Sequence, residues 1–367
     1  MTLSVIILNY NVRYFLELCL KSVQKAIATI DAEIIVVDNH SEDGSCRMVK
    51  ALFPEVKLIE NKENFGFSKG NNIGVAQAKG EYICILNPDT VVAEDTFKIL
   101  LGFSSSRKDL GIVGCQLING AGEFLPESKR NIPYVRASLY KLIGNAKMYY
   151  ASHLGQDETG KVDVLVGAFM FLKREVFNLV NGFDEDYFMY GEDIDLSYRV
   201  LKSGYQNYYV GDATIIHFKG ESTLRDKDYA KRFYGAMQIF YKKHFKKNLL
   251  FDSLVWLAIR LVYKFRKTPI GKPKDVSDYV FVSNKINQSL RRVLKKELQL
   301  KSDLKSVNDR SEIIFDANLI SYKDIIEMIR LKPNYKALTF KILPNDSEFI
   351  LGSDNAINRG EVVLFNI

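Results

Sequence analysis

Leu3 to Leu8 is a short apolar run, broken only by Ser4, that stops at Asn9, and from Leu16 to Ala28 apolar residues recur at three- and four-residue steps. The first pattern predicts a strand buried on both faces, the second a helix packed along one stripe. The alternation continues. Glu33 to Val37 is a second apolar, β-branched run closing on Asp38, Cys46 to Phe53 reads as a helix, and Val56 to Glu60 as a third strand. A helix is expected from Ser68, a buried strand over Glu81 to Leu86, and a further helix over Val91 to Leu101. Strands alternating with helices predict an α/β fold with a Rossmann-like, mostly parallel sheet covered by helices on both faces. Ligands of such sheets bind at the carboxyl ends of the strands, and Asn9, Asn11 and Asp38 fall there.

The residues at those ends each admit a structural and a chemical reading. Asp38 is either a turn-former or a carboxylate that accepts a hydrogen bond from the base or ribose of a nucleotide. The segment Asn61–Gly80 holds four glycines, which let backbone N–H groups approach a phosphate. It matches neither the Walker pattern nor G-x-G-x-x-G. Pro88 ends the strand before it and presents Asp89, which either caps a helix or, joined by an imidazole from elsewhere, holds a divalent metal with phosphate oxygens and water. His217 follows an apolar strand and is either that imidazole or a packed core residue.

Around Glu192 the apolar positions Ile194, Leu196, Val200 and Leu201 fall at helical spacing, so Glu192, Asp193 and Asp195 enter a helix start. The helix macrodipole favours acids there whatever their role. The aromatic run Phe183–Tyr190 just ahead lowers the local dielectric, and a carboxylate held in such surroundings works as a base near neutral pH.

Composition narrows the class. The chain has 367 residues, 47% hydrophobic and 26% charged, which excludes disorder and fits a soluble protein of more than one unit. The net charge is +7, with Lys and Arg gathered between Lys242 and Lys274. That distribution suits an anionic membrane surface, a phosphorylated substrate or simple solubility, and nucleic acid is not an expected partner. Four scattered cysteines without a C-x-x-C pair argue against a zinc site or a disulfide framework. The start lacks a signal-peptide pattern, so a cytoplasmic location is expected.

Residues 1–245 are expected to form a catalytic unit, closing on a helix over Phe233–Phe245. Over residues 249–267, Ser253, Arg260, Lys264 and Lys267 make one polar stripe on an otherwise apolar helix. That pattern fits a helix lying in a membrane interface better than a spanning one; a helix docked on the catalytic unit is the alternative. Residues 246–275 thus read as basic helix plus linker, and 276–367 as a further unit. There Asp278–Val307 is charged and helix-prone, followed by strand-like EIIFDAN, a helix over Tyr322–Leu331, and KALTFKILP, EFILGS and GEVVLFN. This last part, near the lower size limit for independent folding, is expected to pack on the rest or on a partner.

The stretches VIILNYN, IIVVDNHSEDGS, NFGFSKGNNIG, ILNPDT, VGAFMFLKREVF, GFDEDYFMYGEDIDLSYR and HFKGES stand in order between Val5 and Ser222. In them the chain resembles the family 2 glycosyltransferases with an A-type, nucleotide-sugar-binding fold, particularly their rhamnosyltransferase-like branch. The resemblance implies that Asn9, Asn11 and Asp38 hold a pyrimidine base and that Gly66 and Asn72 lie by the ribose and diphosphate. Asn71 stands where many relatives have an arginine. The family's Asp-x-Asp metal motif corresponds to Asn87 and Asp89, with His217 completing the shell of Mn2+ or Mg2+. Asp193 corresponds to the general base, Glu192 orients the acceptor, and Asp195 caps or braces the helix. The implied reaction is an inverting transfer from a nucleoside-diphosphate-sugar, a dTDP-6-deoxysugar such as rhamnose or a UDP-sugar. The implied acceptor is a saccharide or lipid-linked saccharide of surface polysaccharide synthesis, at the inner face of the membrane. Two other readings stand beside it: a non-catalytic nucleotide-sugar sensor or scaffold, and nucleotidyl transfer onto a sugar phosphate.

Overall fold

The computed structural model describes residues 1–134, 147–219, 227–245, 275–304, 306–332, 337–355 and 359–365. Strands β1 (Leu3–Asn9), β2 (Ala32–Asp38), β3 (Lys57–Glu60) and β4 (Tyr82–Leu86) run parallel in the order β3-β2-β1-β4. Alternation along β1 assigns the two faces. Val5 and Ile7 share a core with Leu16, Cys19 and Leu20 of α1 (Arg13–Ile27), Met48 of α2 (Ser45–Leu52) and Phe97 of α4 (Thr96–Ser105). Ile6 packs on the other side with Val75 of α3 (Gly66–Ala76). Helices thus cover both faces, as the buried runs require.

Beyond β4 the sheet becomes mixed. Strand β8 (Phe169–Lys173) is antiparallel to β4 and to β6 (Leu110–Ile118), β9 (Gln206–His217) is parallel to β6, and the two-residue β7 (Gly160–Lys161) adds to β9. One expectation changes here. Val91 does not open a helix: Thr90–Val92 forms the short strand β5, antiparallel to β9 with Thr90 opposite His217, and helix α4 begins only at Thr96. Two β-branched valines and a threonine prefer a half-buried pleat once a partner strand is present.

Helices α5 (Arg174–Leu179), α6 (Glu192–Lys202) and α7 (Lys227–His244) complete this part. The basic stretch 249–267, the linker 267–274 and residues 220–222 of the HFKGES stretch lie outside the described residues. Among the described residues no helix is long and apolar enough to cross a membrane.

The segment Asp278–Val307, expected to be helical, instead holds β10 (Tyr279–Val282), the short helix α8 (Gln288–Val293) and β11 (Leu298–Lys301). Both strands join β12 (Glu312–Asp316), β13 (Thr339–Leu343), β14 (Phe349–Gly352) and β15 (Glu361–Leu364) in a second sheet of order β11-β10-β12-β13-β14-β15. Charged flanks hid a four-residue apolar run that long-range pairing turns into a central strand. This sheet packs on the first through a continuous core. Phe15, Val91, Ile216 and Phe218 lie with Val280, Phe315, Ile325 and Phe340. Helix α9 (Tyr322–Arg330) crosses the seam, and Glu94 accepts the Tyr322 and Lys323 N–H groups at its start, both at 2.8 Å.

Candidate active site

The parallel register places Asn9 beside Asp38 at the carboxyl edge of the first sheet. Asn9 Nδ2 donates to Asp38 Oδ2 at 2.7 Å and to Ser41 Oγ at 3.1 Å, and Asp38 Oδ1 accepts from the Ser41 N–H at 2.7 Å. Asn11 closes the ring: its N–H reaches Ser41 Oγ at 2.9 Å and its Oδ1 accepts from the Glu42 N–H at 2.9 Å. Asp38 is therefore a turn-former here. The buried Asn9 Oδ1 has no hydrogen-bond partner among the described residues.

The antiparallel pairing of β5 with β9 brings Asp89 to His217. Thr90 faces His217 in register and the Phe218 N–H donates to the Asp89 carbonyl at 3.0 Å. His217 Nε2 then lies 3.4 Å from Asp89 Oδ1 and 3.4 Å from Asn87 Nδ2. Both Asp89 and His217 are buried, and neither Asp89 Oδ1 nor His217 Nδ1 has a hydrogen-bond partner among the described residues. A buried carboxylate oxygen left in that state costs free energy unless something cationic meets it. The 3.4 Å separation is less than twice a metal–oxygen distance of about 2.1 Å, so both groups reach one cation. Among the described residues no cluster of three or more His, Cys, Asp or Glu is placed to hold a metal, so a divalent ion here would take only these two protein groups and draw its other ligands from phosphate oxygens and water. Two residues past His217, Lys219 has φ +63 and pairs with Glu127.

The acids of α6 come to the same rim. Gly191, at φ +80, turns the chain into the helix, and Glu192, Asp193 and Asp195 are all buried. Asp193 Oδ2 accepts from the Gly167 N–H at 3.1 Å, while the carbonyl of the next residue, Ala168, accepts from the Asn87 N–H at 3.0 Å. Asp193 and the Asn87–Asp89 turn are thus separated by one short stretch of backbone ahead of β8. Glu192 Oε2 has no hydrogen-bond partner among the described residues. Burial, and after it the charge of Asp193, pushes the Glu192 carboxyl well above the usual carboxylate range. Asp195 braces the helix: it meets Arg199 at 2.6 Å and His244 of α7 at 2.6 Å.

Gly66 and Asn72, expected beside the ribose and diphosphate, lie against the aromatic loop. Asn72 Nδ2 donates to the Phe183 carbonyl at 2.8 Å and to Glu185 at 3.0 Å, and its Oδ1 accepts from the Phe183 N–H at 3.0 Å. Within that loop Phe183 and Tyr187 are core residues, whereas Phe188 is 50% exposed. Phe188, Met189 and Tyr187 line a cavity of about 490 Å³ against Ala236 and Ile239 of α7.

Sequence reasoning passed over Arg130, which is buried and donates through Nη2 to Asp193 Oδ2 at 2.6 Å. An arginine in a polar loop carries no local signal of burial. His244 was passed over too, since a histidine in the basic last turn of a helix carries no mark of its distant partner Asp195.

A sheet parallel through β3-β2-β1-β4 and mixed beyond, with a carboxylate–imidazole pair at its edge and buried acids at a helix start beside it, is the arrangement of an A-type glycosyltransferase fold. The glycosyl transferase family 2 model matches residues 4–180, and a model described as the N-terminal domain of galactosyltransferase matches 157–221. Residues 4–180, just under half of the chain, thus match the family 2 glycosyltransferases, and the relatives that follow are rhamnosyltransferases, which supports a glycosyltransferase. It is 28% identical over 242 residues to an N-acetylglucosaminyl-diphospho-decaprenol L-rhamnosyltransferase of Mycobacterium tuberculosis, covering 61% of this chain and 78% of that one. It is 31% identical over 162 residues to the rhamnosyltransferase WbbL of Escherichia coli, covering 42% of this chain and 61% of that one. A solved mannosyltransferase from Pyrobaculum calidifontis, in complex with GDP-Man and Mn2+, has a TM-score of 0.48 at 18% identity, covering 72% of this chain and 70% of that one.

Proposed function

We propose that the protein transfers a sugar, with inversion, from a pyrimidine nucleoside-diphosphate donor to a saccharide or lipid-linked saccharide of the cell envelope. The observation that carries this reading is the Asp89–His217 pair, 3.4 Å apart and buried, on the rim that also holds Asp193. Asn9, Asn11 and Asp38 take the donor's base and ribose. Asp89 and His217 hold Mn2+ or Mg2+, with Asn87 accepting from ribose or water. The cation, when bound, supplies positive charge that stabilises the leaving diphosphate. Asp193 accepts the proton of the acceptor hydroxyl, and Glu192 orients that hydroxyl. The acceptor oxygen then bonds to the anomeric carbon as the bond to the diphosphate breaks on the opposite side. One in-line displacement inverts the anomeric configuration.

The names of the relatives favour a dTDP-rhamnose-type donor and a lipid-linked acceptor. Residues 249–267 would then hold the enzyme at the inner membrane surface, through their basic stripe. A screen of nucleotide sugars for nucleoside-diphosphate release, with Mn2+ or Mg2+ and an acceptor panel, tests the reading. Asp193→Asn is expected to lose transfer while keeping donor affinity, and Asp89→Ala to lose cation-dependent donor binding itself. Full transfer by Asp193→Asn removes it as the base. Donor binding with no release from any acceptor supports a sensor instead. Deleting 249–267 should release the protein from membranes, and unchanged partitioning dismisses the interfacial role.

A further inference from the structure

Arg130 is held more firmly than a loop residue needs to be. Its N–H donates to the Val164 carbonyl at 2.9 Å, its own carbonyl accepts from the Val164 N–H at 2.9 Å, and a bridge to Tyr150 flanks it on the other side. The side chain is 8% exposed, and Nη2 donates both to Asp193 Oδ2 at 2.6 Å and to the Leu165 carbonyl at 3.0 Å. Burial opposes the guanidinium charge, but Asp193 and then Tyr149 outweigh it, so Arg130 stays charged.

Replacing a buried ion pair by apolar residues of similar volume is often neutral or stabilising, so stability does not by itself account for this one. What this pair achieves is orientation. Oδ2 of Asp193 takes both the Arg130 guanidinium and the Gly167 N–H. Oδ1 takes only the N–H of the next residue, Ile194, at 2.8 Å. The carboxylate is thereby held at both oxygens, Oδ2 by two donors and Oδ1 by a single backbone N–H, which leaves Oδ1 with the more spare accepting capacity.

We propose that Arg130 is the positioning residue of the base: it fixes Asp193 so that Oδ1 receives the acceptor proton, and keeps a counter-charge beside the carboxylate throughout the displacement. The inference rests on Asp193 being the base. In the step, the acceptor O–H proton passes to Oδ1, the oxygen's electron pair forms the new glycosidic bond, and the diphosphate leaves with the old one. Arg130 itself exchanges no proton.

The test compares Arg130→Gln, Arg130→Lys, Asp193→Asn and the double variant Arg130→Gln/Asp193→Asn, in full-length protein. It reads nucleoside-diphosphate release, donor KM and the melting temperature. Arg130→Gln is expected to lower kcat by about 10²-fold with donor KM unchanged, the cost of a misplaced catalytic group. Arg130→Lys keeps the charge without the planar fork and is expected to recover about tenfold of that loss. It carries the test if the glutamine variant does not fold. If Arg130 acts through Asp193, the double variant is no slower than Asp193→Asn alone. A kcat at the wild-type level in Arg130→Gln, or losses that multiply in the double variant, overturns the inference while leaving Asp193 as the base. Wild-type turnover in Asp193→Asn overturns both.

Discussion

Replacing Gly66 with alanine separates a role in shaping the aromatic loop from a role in binding the donor. Gly66 sits at φ +78, in the left-handed region where a Cβ costs about 1–2 kcal/mol. That Cβ would also meet the Phe188 carbonyl oxygen at 2.4 Å and the Phe188 ring at 2.7 Å. The nearest obstacle is backbone, so no rotamer change relieves it and the loop has to move. The same carbonyl accepts the Phe67 N–H at 2.7 Å, and losing that bond adds about 1 kcal/mol. Together these predict a destabilisation of about 2–3 kcal/mol and, for a chain of 367 residues, a melting temperature lower by about 3–4 °C. The loop runs straight into Glu192 and Asp193, so kcat and acceptor KM should worsen while calorimetric donor affinity is unchanged. An unchanged melting temperature would refute the steric argument. Lost donor affinity with intact acceptor kinetics would return Gly66 to the diphosphate.

The raised proton affinity of Glu192 predicts a pH-dependent gap between wild type and Glu192→Gln. Unfolded glutamate ionises near pH 4.3, whereas the folded carboxyl resists until higher pH because of burial and then Asp193. The stability it allows is complete below the unfolded value and is lost as pH rises toward the folded one. The glutamine variant should therefore melt above wild type at pH 7, with the gap closing below about pH 4; a gap constant with pH contradicts this. Phe218→Ala removes a buried ring between the two sheets, packed edge-on to Phe15 at 5.1 Å. It should cost about 3–5 kcal/mol and also weaken Mn2+-dependent donor binding, since Phe218 follows His217. Normal cation dependence in a destabilised Phe218→Ala protein would show that the second sheet does not support the site.

The sequence by itself determined the alternating strands and helices of the first sheet, because burial on one stripe or on both faces leaves a period that any short window reveals. It also placed Asn9, Asp38 and Asp89 at strand ends and the acids of α6 at a helix start, since strand ends and first turns are local features. Tertiary structure decided the rest. Whether Val91 opens a helix or lies in a strand depended on β9, more than a hundred residues later, and that pairing alone brings His217 within 3.4 Å of Asp89. Arg130 and Asp193 are 63 residues apart in the chain, and no periodicity connects them. The loop contacts of Asn72 and the shared core beneath Phe218 are likewise products of register and packing. Local patterning reports how each segment hides its apolar atoms, whereas the partners of a polar side chain are set by which distant segment arrives beside it.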